Sequence, residues 1–269
     1  MLRGYKLTPA DVIMIKMQNF ASCKKVLLII FCQITFVFFS CQNTHVSETE
    51  GADCISILFI GSSHVFVGNV PGQLQAISKS HGIKVIYKDI SKHGNRGGTL
   101  SELSAVAISE MQTKKYDYIV LQDQTRKSSN DIDGLLNAIR ILCDTARENG
   151  ATPVIYNSAW ATVNGRPDKE RLKASTELSK KAADENDAVL VNVADAWIYA
   201  YHIIPGISLY TRFDLRGPHA NSAGAFLTAC VFAATLFDMQ IIDVPKNNRY
   251  KGREADALAQ AAWDFVNVK

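Results

Sequence analysis

Beyond position 53 the apolar residues of this chain fall into short unbroken runs, separated by longer stretches in which they recur every three or four positions. The first run, ISILFI at 55–60, holds one polar residue in six and shows no alternation, as expected of a strand covered on both faces of a parallel sheet. Gly61 ends it, and Ser62, Ser63 and His64 follow at once, before a helical pattern opens at Pro71. Similar runs at 84–90, 116–121, 152–156 and 188–193 predict four further strands. The spacing predicts helices over 71–80, 99–112, 131–148 and 168–184, a short helix carrying Trp197 and Tyr201, and a nearly all-apolar helix over 222–237 that must be buried. Thr99 with Glu102 three residues on forms a capping-box signature, and Asn149-Gly150 closes the third helix. This rhythm of strand and helix predicts one α/β domain over 54–269, with a central, mostly parallel five-stranded sheet.

Ahead of that domain the pattern changes. Lys24 and Lys25 precede a largely apolar run over 26–39, followed by Ser40 and Cys41, which reads as an export signal over 1–41. The run is too short to span a bilayer comfortably. Phe38-Phe39-Ser40-Cys41 resembles the lipobox of bacterial lipoproteins, which implies lipidation at Cys41. The polar segment 42–53 then reads as a tether. Met14 and Met17 are alternative starts, and an uncleaved anchor is the competing account of the same run. Either way the domain is expected outside the cytoplasm, on the bacterial cell envelope.

The signal alters the charge argument. It carries Arg3, Lys6, Lys16, Lys24 and Lys25 against Asp11 alone, so the chain's +3 becomes −1 without it. No electrostatic case for nucleic acid remains. Cys23 and Cys32 belong to the signal as well, leaving Cys54, Cys143 and Cys230, an odd number that argues against a disulfide scaffold. No C-x-x-C or H-E-x-x-H spacing offers a metal site, and no cofactor is expected.

A serine at a strand-to-helix turn is well placed as a nucleophile, because the turn exposes its hydroxyl beside amide N–H groups that can hold an oxyanion. Ser63 has that position; the plain alternative is that Ser62 and Ser63 only cap a turn. For a base, His45 lies in the tether, and His64 adjoins Ser63, so its side chain should diverge. His81 and His202 sit on or beside helices, His93 lies in a glycine-rich loop, and His219 follows Asp214 in a loop just before the buried helix. His219 is the best placed, since a buried helix would hold its imidazole firmly.

ILFIGSSH, RGGTL, YDYIVLQDQT and FDLRGPHANSAGAFLTACVFAA, in this order, resemble the successive blocks of the SGNH/GDSL hydrolase superfamily, in its divergent bacterial branch. The resemblance implies a flavodoxin-like three-layer α/β/α sandwich and an esterase mechanism. It implies Ser63 as nucleophile and as one oxyanion donor through its own N–H, and Gly97 or Gly98 as a second donor. Gln124, with Gln122 as the other choice, stands where the superfamily more often has asparagine. His219 matches the base and Asp214 its acidic partner, although Asp214 lies five residues ahead rather than the usual three, where Arg216 stands. An arginine cannot accept a proton from an imidazole N–H. Asp195 and Asp123 are therefore alternative acids, with helix capping and loop solvation as their plain readings.

His64 and Trp160 are expected to contact substrate. Trp197 and Tyr210 fit either sugar stacking or core packing, and Arg96 and Arg216 either an acidic substrate group or solvent. The function expected is an exported, lipid-anchored serine esterase that cleaves an acyl ester, acetyl foremost, on a glycan or similar extracellular substrate. A non-catalytic glycan-binding lipoprotein on the same scaffold is the alternative. A nucleotide-binding protein ranks behind both, for want of G-x-G-x-x-G or G-K-[ST].

Overall fold

In the computed structural model the first apolar run becomes β1 (Cys54–Ile60), whose alternate side chains enter two different cores. Ile57 and Phe59 face one, Leu58 and Ile60 the other, which is why the run lacks polar alternation. The structure describes residues 54–93, 96–123, 131–211, 218–242, 244, 250 and 252–267, all within one unit, Gly51–Lys269. The expected signal, tether and lipidated Cys41 lie outside the described residues. Among those that are described, no helix is long and apolar enough to cross a membrane.

After β1 the order is α1 (Ser63–Phe66), α2 (Val70–Ser80), β2 (Lys84–Asp89), β3 (Lys92–His93), β4 (Arg96–Gly97) and α3 (Leu100–Thr113). There follow β5 (Tyr118–Leu121), α4 (Ile132–Glu148), β6 (Thr152–Asn157), β7 (Thr162–Val163), β8 (Arg166–Pro167) and α5 (Lys169–Glu185). The chain continues with β9 (Val189–Asn192), α6 (Val193–Ile203), α7 (Ser222–Phe237) and α8 (Arg253–Asn267). The main sheet has five strands in the order β2-β1-β5-β6-β9, and every neighbouring pair is parallel. The chain moves from β1 outward to β2, then returns across β1 to β5. The strand order therefore reverses between β1 and β5, the kind of place where open α/β sheets hold their ligands.

One face of the sheet is covered by α2, α6, α7 and α8, with Leu74, Trp197, Phe226, Phe232 and Leu258 in its core. The other is covered by α3 and α4, through Leu103, Met111, Ile139 and Leu142, and by Ala182 and Ala183 of α5. Three layers result, as the resemblance implies. The capping box at Thr99 and Glu102 is present in full.

Four features were not foreseen. The C-terminal helix α8 has a muted signal, because much of its buried stripe is alanine (Ala255, Ala259, Ala261, Ala262) around Leu258. It packs beside α7 in the same core, which is why α7 can be apolar on nearly every side. The hairpin β7–β8 turns at Asn164-Gly165, both with positive φ (51° and 73°), the backbone that favours this dipeptide in tight hairpins. Two further short pieces, the paired strands β3–β4 and the single turn α1, carry too few residues for a periodic signal.

Two boundaries also move. β5 begins at Tyr118 rather than 116, since Asp117 instead receives the Ser56 N–H and hydroxyl on one carboxylate oxygen, each at 2.7 Å. The cap of α6 is Asn192, with Asp195 in its first turn.

Candidate active site

Ser62 and Ser63 share a turn but face opposite ways. Ser62 is extended (φ −126°, ψ −164°) and buried, and its N–H and hydroxyl both donate to Gln122 Oε1 at 2.8 Å. That double bond ties the end of β1 to the end of β5. Gly61 is required there, since a Cβ would lie 2.7 Å from Val65 Cγ2 and 3.0 Å from the Gln122 carbonyl oxygen. Ser63 opens the α1 turn and stays partly exposed. Among the described residues no acceptor takes its N–H, which remains able to donate to a ligand oxygen.

His219 Nε2 lies 2.8 Å from Ser63 Oγ, across 156 positions of chain. With Nε2 unprotonated, the hydroxyl donates to it. The segment carrying His219 is pinned from both sides. Its carbonyl accepts the Thr211 N–H at 2.9 Å and the Thr211 hydroxyl at 3.3 Å. Two residues on, Asn221 caps α7 by accepting the Gly224 N–H at 3.0 Å. Gly224 is itself obligatory, because a Cβ there would meet the Leu209 carbonyl at 2.3 Å and the Trp197 ring at 2.5 Å. Thr211 is a contributor that the sequence reading missed, and no motif announces it.

The two glycines separate clearly. A Cβ on Gly97 would lie 2.7 Å from the Ser63 nitrogen and 3.0 Å from Ser62 Cα, so β4 runs directly against the serine turn. The atoms nearest a Cβ on Gly98 would all belong to the Leu103 side chain, and its N–H points to the Ser91 carbonyl at 3.4 Å. The Gln122 amide is engaged by the fold. Its oxygen serves Ser62, while its NH₂ donates to the Asp123 carbonyl and toward Ser158 Oγ at 3.4 Å. Gln124 and Asp214 lie outside the described residues, as do Arg216 and the side chains of Arg96 and His93.

His64 does not diverge. Its ring sits 5.5 Å from that of His219, tilted by 39°. In the helical turn α1 successive side chains are only about 100° apart, so neighbours in the chain can face one site. As a residue His64 keeps some exposure, but protein encloses the ring, and that burial, with the nearby His219 second, lowers its pKa to about 3. His64 thus stays neutral beside the partner of Ser63.

The alternative acids have other work. Asp195 accepts from Asn192 Nδ2 at 2.7 Å and from the Thr176 hydroxyl at 3.2 Å. Asp123 accepts the Leu100 N–H at 2.7 Å, at the start of α3. Of the aromatic candidates, Trp197 and Tyr210 are core residues, edge to face at 4.8 Å, with Trp197 Nε1 donating to Thr228 and the Tyr210 hydroxyl to the Ala161 carbonyl. Trp160 is partly exposed, under the Arg171 guanidinium at 4.7 Å. It lines a cavity together with Gln122 and Asn157. His81 binds the backbone at Ile77 and Ile242. Among the described residues no three His, Cys, Asp or Glu side chains cluster as a metal site would require.

No family model matches the chain, and no curated protein matches it in sequence. Solved structures do resemble it. A DUF4886 family protein from Bacteroides uniformis superposes with a TM-score of 0.64 at 18% identity, over 80% of this chain and 95% of its own. A protein from Slackia heliotrinireducens assigned as an SGNH hydrolase gives 0.52 at 22% identity, over 68% and 100%. A catalytic mutant of an acetylxylan esterase from Geobacillus stearothermophilus gives 0.51 at 17% identity, over 70% and 96%. At such identities the likeness concerns the fold alone, a three-layer α/β/α sandwich that this chain shares with these proteins.

Proposed function

We propose that this protein is a serine ester hydrolase that removes acyl groups, acetyl foremost, from a glycan or similar extracellular substrate. In this reading it is exported and held to the envelope by lipid on Cys41. The observation that carries the hydrolase reading is the 2.8 Å contact between Ser63 Oγ and His219 Nε2, at the point where the strand order reverses. A purely glycan-binding protein has no need of a hydroxyl held against an imidazole in this way. Acetylxylan esterases among the structural neighbours support the choice of acyl group and alcohol.

The steps follow from the geometry. Ser63 Oγ attacks the ester carbonyl carbon as its proton passes to His219 Nε2. The oxygen that becomes negative is held by the Ser63 N–H, with donors from the Gly97 segment and from Gln124 completing the hole. The carbon–oxygen bond to the alcohol then breaks, and His219 returns the proton to the departing oxygen. Water, activated by the same imidazole, releases the acid and restores Ser63. Asp214 is the residue assigned to orient His219.

The test is turnover of 4-nitrophenyl acetate and of acetylated xylan by purified protein, with fluorophosphonate labelling of the serine. Wild type should turn over ester and be labelled at Ser63; Ser63→Ala should do neither while keeping its fold by circular dichroism. Ester turnover retained in Ser63→Ala would sink the reading.

A further inference from the structure

Against the backbone that carries His219 lies a cleft of about 560 Å³, lined in part by Pro218, Thr211, Ser208, Asn164 and Arg166. That volume falls in the range of small-molecule sites. We infer that this cleft seats the alcohol half of the ester, and that Arg166 selects an alcohol that is a sugar unit bearing an anionic group. The inference rests on the hydrolase reading above, because the departing alcohol must take its proton from His219 and so leaves on the histidine side of the serine.

Three observations carry it. First, the cleft is continuous with the segment that holds the imidazole: Pro218 precedes His219, and Thr211 binds the His219 carbonyl with both its N–H and its hydroxyl.

Second, the cleft is preformed. The Tyr201 hydroxyl donates to the Gly165 carbonyl at 2.9 Å and accepts the Leu209 N–H at 3.0 Å, which fastens the tip of the β7–β8 hairpin across the cleft. The Thr162 hydroxyl donates to the Arg166 carbonyl at 2.7 Å and closes the hairpin on itself. Burial raises the Tyr201 pKa, so this phenol keeps the proton it donates.

Third, among the described residues that line the cleft the charge is of one sign. Among the described lining residues Arg166 is the sole charged side chain, and no described carboxylate lies within ion-pair reach of it. A guanidinium offers a fixed fork of donors to a carboxylate or sulfate, whereas a neutral sugar would leave it to water.

The experiment compares three acetylated oligosaccharides of equal length, one built of uronic acids, one sulfated and one neutral, with the full chain and its Arg166→Gln and Arg166→Lys variants. The expected result is a kcat/KM on an anionic substrate about tenfold above that on the neutral one. That ratio should be lost in Arg166→Gln and partly kept in Arg166→Lys. Preference for the uronate or for the sulfated substrate identifies the anion. A wild type indifferent to charge, or a ratio unchanged in Arg166→Gln, overturns the inference.

If no ester is turned over, the hydrolase reading fails separately and the cleft is judged by binding. The deacetylated forms of the same three oligosaccharides are then titrated into wild type and Arg166→Gln. Tighter binding of an anionic form, lost in the variant, upholds the anion subsite, and equal affinities overturn it.

Discussion

At the carboxyl ends of β6 and β9, Asn157, Ser175, Thr176, Asn192 and Asp195 close their hydrogen bonds on one another. At the end of β1, by contrast, Ser63 turns its hydroxyl to an imidazole and leaves its N–H without an acceptor among the described residues. Both clusters sit on the same edge of the same sheet. In the first, Asn157 donates to Thr176 and Asn192 at 2.8 Å each, and both of those donate in turn to Asp195. It joins two strand ends and the helix α5. In the second, the inward-facing groups (Ser62, Gln122) do the joining, and the outward-facing ones keep capacity for a ligand. Polar residues at strand ends are therefore not a site in themselves. A site is marked by hydrogen-bonding capacity held firmly yet not consumed by the fold.

The contrast can be broken most severely at Ser63. Ser63→Ala should lower kcat by roughly ten-thousandfold or more, and the double variant with His219→Ala should be no slower than either single one, because the two groups act as a unit. Steady-state kinetics on 4-nitrophenyl acetate decides this. An additive loss in the double variant would show that the 2.8 Å contact is not a working pair.

Gly97→Val comes next. Its side chain would have to enter where the Ser63 nitrogen and Ser62 Cα stand, 2.7 Å and 3.0 Å from the Cβ position, and backbone atoms cannot swing aside. Displacing an oxyanion donor costs about a hundred- to a thousandfold in kcat. Gly98→Ala presses on the Leu103 side chain and not on the backbone of the serine turn, so it should cost far less in kcat. Equal losses at the two glycines would contradict the assignment of Gly97.

The closed cluster should respond in the opposite currency. Asp195→Ala leaves the Asn192 amide and the Thr176 hydroxyl without their acceptor, at a cost of about 1–3 kcal/mol in unfolding free energy. Turnover per folded molecule should hold. Urea titration read beside kinetics separates the two, and a collapse of turnover at unchanged stability would make Asp195 the acid behind His219.

The last effect concerns pH. His64 has a folded-state pKa near 3 against an ordinary 6.5, so between these values the unfolded chain binds the proton first. Its contribution to stability is complete above about pH 6.5 and is lost as pH falls toward 3. Replacing the ring by Phe should flatten the decline of the urea midpoint with falling pH in that window. An unchanged slope would mean that the ring is protonated in the fold.

Much of the scaffold could be read from local pattern. β1, α4 and α7 lie within a residue of their predicted limits because each is a long run whose burial is periodic or unbroken. α8 escaped because alanine carries little contrast between its faces, and α1 because one turn has no period to detect. At the site, Ser63 and His219 could be singled out by their places after a strand and before a buried helix. Their separation could not. Nor could the engagement of the Gln122 amide be read there, since the groups that claim its oxygen belong to Ser62, 60 positions away.

What the amino-acid order determined by itself, then, is the succession of buried strands and covering helices, the stop at Gly61 and the cap at Thr99. These depend on neighbours a few residues away, whose chemistry is written next to them. Which glycine touches the serine, whether His64 flanks the imidazole, and whether a hydroxyl and a ring 156 positions apart meet were decided only when the sheet closed. Such contacts depend on how strands pair and helices pack across the fold, and a distance of 2.8 Å has no local signature in a chain that must first cross its own sheet.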